Sequence, residues 1–380
     1  MKLLIPAIAL LSSTVMAADL KFNVEGRFDY ANSTVKHEFA TATNNFEEKR
    51  SEFDSNVLRL NMVATINENL SARFRYRFST AQDAASKNRD LSFQNVDFFF
   101  IDHKTSMFTT RIGKQSQVES LGREFFISAT DYPTTAYNST SGATGYIASN
   151  TAVYNTVKSD ADLYRVGVSL IFKQLEDQTF TISAFNPAKS TTYTDTAGAS
   201  NDAKNSKMGL GAYYNGSFLN KMIQPTLGYT TFGIAPETDL AGAPNTVSAS
   251  NKLMAAGIRS EVAGFVIDAD WKQYKRDNTS TATSTADKTT SIWANVAYTW
   301  DNLTPFVNYI NDKYTKSANN LTDYKRNAIS AGLQFKPFKD NNFRYQVAYT
   351  SDVKKIDAAT GTNENKVTAH QISAGIKFDI

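Results

Sequence analysis

Polar and apolar residues alternate along nearly the whole chain, in segments of about ten residues. Leu70 to Ser79 shows the pattern at its sharpest. Arg73, Arg75 and Arg77 alternate there with Ala72, Phe74, Tyr76 and Phe78. A β-strand sends successive side chains to opposite faces, so this segment carries a guanidinium row on one face and an aromatic row on the other. Two kinds of sheet accept such a strand. A soluble sheet has a core behind the aromatics and water over the arginines. A membrane barrel has lipid outside and a charged, wet lumen inside.

The rest of the chain favours the barrel. Sixteen such segments follow one another. The first is Leu20 to Tyr30, followed by a long loop to about Arg50; the second centres on Leu58 to Thr65 and the third is the opening stretch. The fourth lies around Gln94 to Ile101, where Asp97 points inward and the faces of Phe98 to Ile101 stay unassigned because alternation blurs. The fifth is Met107 to Gln115, and the longest irregular stretch follows, from Ser116 to Asp162. Alternation resumes at Leu163 and continues to the end, the last segment being His370 to Ile380. Long loops follow odd segments and short turns follow even ones, which puts both termini on the short-turn side. A soluble sandwich does not sort its connections by side in this way. Closure into a barrel also leaves no exposed strand edge. Aromatics near the short turns, Tyr298, Trp300, Phe343 and Tyr345, suit an interfacial girdle. The expected fold is therefore all-β: a transmembrane antiparallel β-barrel of sixteen strands.

The start of the chain agrees with export. Lys2, the apolar run Leu3 to Leu11, and small residues at Val15 and Ala17 predict a signal peptide over residues 1–17, with the barrel over 18–380. The apolar run is too short to span a bilayer as a helix. Removing it lowers the basic count from 40 to 39 against 37 acidic residues, a charge of about +2. These charges are scattered, so no nucleic-acid partner is implied. With no cysteine there is no disulfide framework and no thiolate chemistry. Only His37, His103 and His370 are present, and no Ser-His-carboxylate cluster is legible, so an enzyme is not expected. Gly209 to Gly216 is glycine-rich but lacks dinucleotide-binding spacing and precedes no helix; no cofactor or metal is implied.

By strand parity Lys21, Arg27, Arg59, Arg111 and Arg165 point inward with Arg73, Arg75 and Arg77, and most of them lie on the first six strands. Asp97, Asp268, Asp270 and Asp312 also point inward and can offset that charge, so the sign of any ion preference stays open. Inward aromatics Phe185, Trp293 and Phe306 leave room for an alternative, a substrate-specific channel for a sugar or for an anion such as phosphate.

Three local features add a family likeness: Thr110 to Gln115 (TRIGKQ), the long stretch after it, and the closing strand ISAGIKFDI. With the strand count and loop rhythm, the mature chain resembles the sixteen-stranded general diffusion porins of Gram-negative outer membranes. The resemblance implies a long third loop folded into the lumen. It also implies loop carboxylates, here Glu119, Glu124 and Asp131 with Arg123 among them, facing a basic wall. It further implies a homotrimer in outer-membrane lipid, recognition of the C-terminal strand by the barrel-assembly machinery, and passive diffusion of small hydrophilic solutes and ions. Such porins commonly end in Phe; this chain ends in Ile380, with Phe378 two places earlier on the same face.

Overall fold

A computed structural model describes residues 19–39, 45–78, 96–116, 121–125, 137–138, 146–147, 151–161, 164–173, 175–186, 192–194, 200–202, 206–234, 248–279, 284–316, 323–338, 342–357 and 365–380. The signal peptide expected over residues 1–17 lies outside them. Sixteen strands form one closed antiparallel barrel. In chain order they are β1 (Asp19–Glu38), β2 (Phe46–Asn67), β3 (Leu70–Arg77), β4 (Val96–Lys104), β5 (Phe108–Ser116), β8 (Tyr164–Phe172), β9 (Gln178–Phe185), β12 (Ser206–Gly216) and β13 (Gln224–Ile234). The rest are β14 (Ser248–Val262), β15 (Phe265–Thr279), β16 (Ser284–Tyr298), β17 (Leu303–Lys316), β18 (Tyr324–Phe335), β19 (Arg344–Ile356) and β20 (Asn365–Asp379). Two short hairpins, β6 (Tyr137–Asn138) with β7 (Tyr146–Ile147) and β10 (Thr192–Thr194) with β11 (Ser200–Asp202), lie outside the barrel sheet.

The barrel closes where β1 pairs β20, from Glu25↔Asp379 to Glu38↔Lys366. At the terminal end Val24 and Ile380 exchange backbone hydrogen bonds of 2.6 and 3.0 Å. Ile380 thus completes the seam by its main chain, and the absence of a terminal aromatic leaves the ladder intact. Phe378 lies over Gly26 and stacks beside Phe28 at 6.3 Å.

Alternation sorts the side chains as the sequence requires. One parity exposes Phe22, Phe28 and Tyr30 on β1, Ile292 and Val296 on β16, and Tyr345, Val347 and Tyr349 on β19. The other parity buries Arg27, Asp29, Ser291, Asn295, Gln346 and Thr350. Water is absent from the lipid core, so a wall that exposes apolar groups and satisfies every strand by its neighbours can only be stable as a closed sheet.

Three expectations need correction. The long first loop is mostly strand: β1 runs to Glu38 and β2 begins at Phe46, paired residue for residue from Ser33↔Arg50 to His37↔Phe46. Its outward face turns polar after Tyr30, at Asn32, Thr34, Lys36 and Glu38, so it reads like loop although the hairpin continues past the lipid band. β15 and β16 likewise run beyond the alternating segments Phe265 to Tyr274 and Ser291 to Trp300 that the sequence predicts, reaching Thr279 and starting at Ser284. The irregular stretch after β5 contains a ten-residue helix, α1 (Ala152–Ala161).

The blurred alternation at Phe98 is a bulge. β3 pairs Arg75↔Phe98 and then Tyr76↔Val96, so one residue of β4 is extra at that point. A bulge lets two consecutive side chains share a face. Asp97 and Phe98 both reach the arginines of β3, while Phe99 and Ile101 are exposed outside.

Candidate channel interior

Side chains on the concave face of a barrel converge, and contacts across several strands identify that face. Arg75 on β3 donates to the Tyr164 hydroxyl on β8 at 2.7 Å, reaching across β4 and β5. Arg59, Arg75 and Arg77 gather on one carboxylate, Asp97, at 3.4, 3.0 and 3.1 Å. Arg59 also meets Glu25 at 3.4 Å. Phe98 lies under two of the guanidiniums, 3.9 Å from Arg75 and 5.2 Å from Arg73, and Tyr164 meets its ring edge-on at 4.9 Å. Arg111 holds Asp102 with two hydrogen bonds, 2.7 and 2.8 Å, while covering Phe100 at 4.0 Å. Stacked guanidiniums of this kind keep their N–H edges free for carboxylates. Arg73 differs from its neighbours: it is exposed, and among the described residues no carboxylate pairs with it.

The remaining basic positions separate. Arg27 is buried and donates to Asp29 at 2.6 Å. Lys21 pairs with Asp19 at 3.3 Å near the chain terminus, both exposed. Arg165 is buried on β8 beside Gln115 of β5 in the ladder.

On the opposite side, described pieces of the third loop rest on the wall. Leu121, Val153, Tyr154 and Val157 pack with Phe185 of β9, Phe232 of β13, Leu253 of β14 and Tyr274 of β15. Gly209 makes room for that patch, because a Cβ there would stand 2.2 Å from the Phe185 ring. Burial pushes the Tyr154 phenol above its ordinary range, with Tyr164 and Glu124 adding to the effect, so it stays neutral.

Polar contacts set the loop's position. Asp270 accepts the backbone N–H groups of Arg123 at 2.9 Å and Glu124 at 2.6 Å. Asp312 accepts the N–H of Ala152 at 3.0 Å, and Ser291 that of Val153 at 3.2 Å. Thr151 caps α1 from within, its hydroxyl oxygen accepting from the Tyr154 N–H at 3.3 Å. The first turn of a helix leaves N–H groups without partners and carries partial positive charge, so wall carboxylates satisfy both needs. Glu124 accepts from the Thr151 N–H and hydroxyl, each at 2.7 Å, and pairs with Lys272; both charged groups are buried. Arg123 lies 3.5 Å from Asp268, which Arg259 also approaches at 3.6 Å.

The structure therefore gathers Arg59, Arg75, Arg77, Arg73 and Arg111 on one wall and leaves Arg27 and Lys21 apart. It places Glu124 in the joint between loop and wall rather than on a free surface; Glu119 and Asp131 lie outside the described residues. The inward aspartates are engaged as well: Asp97 by arginines, Asp268 by Arg123 and Arg259, Asp270 and Asp312 by the loop backbone. Asp312 further meets Arg326 at 3.0 Å, which also pairs with Asp352 at 2.8 Å. Sequence parity found the wall aspartates but missed Lys272 as the partner of Glu124, because that contact joins positions 148 residues apart. The signal for α1 was present in Thr151 followed by apolar Val153, Tyr154 and Val157.

The aromatics Phe185, Trp293 and Phe306 point inward but are buried. Phe185 lies under the loop, Trp293 packs with Ile310 and Ala328, and Phe306 with Ala297 and Ala348.

A lipid-exposed closed barrel with a charged interior defines an outer-membrane channel. Residues 6–332 match the Gram-negative porin family, and the chain belongs to it. Its place is the outer membrane of Gram-negative bacteria. No curated protein matches the sequence. Among solved structures it is similar to the outer membrane channel DcaP of Acinetobacter baumannii, with TM-score 0.61 and 13% identity over 95% of this chain and 98% of that one. It is similar to OmpT, an outer membrane protein of Vibrio cholerae, in its trimer form, with TM-score 0.58 and 12% identity over 96% and 100%. An anion-selective porin from Comamonas acidovorans gives 0.57 and 12% over 96% and 100%. At such identities the likeness establishes the fold.

Proposed function

We propose that the mature chain, freed of residues 1–17, is a homotrimeric pore for passive diffusion of small hydrophilic solutes and ions. The third loop narrows it against the arginine wall of β2, β3 and β5. The observation that carries this reading is the juxtaposition inside one barrel of an arginine–carboxylate wall and loop segments docked on the facing strands. Opposed fixed charges orient polar solutes and ions and disfavour apolar ones. Arg73, Arg75, Arg77, Arg59 and Arg111 line the narrow part in this proposal. Arg27, Lys21 and Arg165 line the wall away from it, and Glu119 and Asp131 extend the loop's acidic side. The C-terminal strand serves as the signal to the barrel-assembly machinery. A substrate-specific sugar channel would present its aromatics to the solute, whereas Phe185, Trp293 and Phe306 are buried.

The test is a planar bilayer with the purified, unheated protein under a KCl gradient. Large, long-lived current steps in groups of three are expected, with a small zero-current voltage. Silence, or small steps blocked by a single sugar or by phosphate, overturns the general-diffusion reading.

A further inference from the structure

The short turns carry a feature that a pore does not need. Six of the seven turns on the side of the termini hold a large apolar side chain at or beside the tip. Met107 is 60% exposed, Leu175 64%, Leu219 67%, Trp300 70% and Phe338 56%, and Val262 with Phe265 fills the same position between β14 and β15. The turn between β2 and β3, Asn67 to Asn69, is polar and is the exception. Short turns of this kind face the periplasm. A tip that protrudes into water has no reason to carry such groups, since an exposed apolar crown invites association.

The turn between β12 and β13 makes the point by its backbone. Leu219, Asn220 and Lys221 follow one another at φ values of 51°, 52° and 71°. This left-handed region is unfavourable for residues with a Cβ, and Leu and Lys gain nothing local from it. The conformation projects Leu219 outward, with Phe218, Met222 and Ile223 exposed around it. At the end of the turn the Gln224 amide donates to the Lys221 carbonyl at 3.0 Å.

The crown is continuous with the outward aromatic belt directly above it. Phe265 and Tyr298 touch at 4.6 Å next to Trp300, and Phe338, Phe343 and Tyr345 form a chain of ring contacts at 6.3 and 5.2 Å. We propose that the turn tips from β4 to β19 are immersed in the headgroup–acyl boundary of the periplasmic leaflet. The barrel's lower rim is then sunk in lipid instead of standing proud of it. The occupant of this surface is lipid, because the crown recurs at six of the seven short turns and joins a lipid-facing belt. Amphipathic and apolar side chains at this depth anchor the barrel against vertical displacement.

The chain's three tryptophans allow a direct test. The Trp271→Phe/Trp293→Phe variant leaves Trp300 as the reporter, and the full barrel is reconstituted in phosphatidylcholine vesicles carrying bromine at shallow or deep acyl positions. Immersion predicts blue-shifted Trp300 emission, strong loss of intensity with shallow bromine, less with deep bromine, and little quenching by aqueous acrylamide. Because the chain has no cysteine, Leu219→Cys and Leu175→Cys labelled with an environment-sensitive dye report independently and must show the same shielding. Red-shifted emission with full acrylamide quenching and no bromine effect overturns the proposal. So does shielding that appears only when a periplasmic extract is added, which would assign the crown to a protein partner.

Discussion

Replacing Lys272 by Met should loosen the third loop without disturbing the barrel. Lys272 and Glu124 are 0% and 1% exposed, and Asp270 beside them is 3% exposed. The substitution removes the Lys272 ammonium from the buried Glu124 carboxylate, which keeps its two hydrogen bonds from Thr151. Breaking one side of a buried pair costs about 3–5 kcal/mol. Against this, Leu121, Val153 and Val157 are fully buried in the loop–wall patch, and each contributes about 1.5–3 kcal/mol by burial. The loop therefore stays docked most of the time. Its undocked population rises roughly a hundred- to several-thousand-fold, at about 1.4 kcal/mol for each factor of ten. Single-channel recording should show open-state current noise and brief sublevels absent from the parent. Thermal unfolding of the barrel, whose ladder is untouched, should move little. The Lys272→Met/Glu124→Gln double variant removes both charges and should recover much of the quiet behaviour. Identical noise in Lys272→Met and the parent would refute the assignment of this pair as the loop's anchor.

Arg73→Gln should shift the zero-current voltage in a KCl gradient toward cation preference more than Arg27→Gln, because Arg27 is buried against Asp29 while Arg73 faces the lumen with no carboxylate partner among the described residues. An equal shift for both variants would show that pairing does not decide which charges the ions feel. Phe98→Ala removes the surface on which Arg75 and Arg73 lie and the Tyr164 edge contact; a cost of about 1–3 kcal/mol follows from the cation–π and ring terms together and should lower the unfolding temperature. Gly113→Ala should reduce the yield of folded, heat-modifiable barrel. Gly113 has φ of 130°, and a Cβ there would lie 2.3 Å from the Phe99 carbonyl oxygen, so strain of about 1–3 kcal/mol adds to a steric clash across β4 and β5.

The barrel was legible in the sequence because its determinant is local. Period-two alternation names the strand, and a side chain's parity names its face. Arg73, Arg75 and Arg77 could be assigned together from five consecutive residues, and the turns that separate strands are short enough to count. Alternation failed only where the chain itself breaks the period. At Asp97 a bulge places two neighbours on one face, and past Tyr30 a polar outer face disguised eight further residues of β1 as loop.

Which charges remain available inside was not legible. Parity placed Asp270 and Asp312 inward, and the family resemblance put Glu124 on the third loop, but neither could say what they meet. The answer depends on contacts between positions more than a hundred residues apart: Asp270 with the backbone at Arg123, Asp312 with Ala152, Glu124 with Lys272. Sequence by itself determined a sixteen-stranded, lipid-facing wall with arginines on its inner side, since each strand's amphipathicity is a property of its own residues. Only the tertiary structure decided that Asp312 caps α1, that Asp270 holds the loop backbone at Arg123 and Glu124, and that Arg73 stands apart from its paired neighbours. Those outcomes follow from barrel closure and loop docking, which set distances that no local pattern encodes.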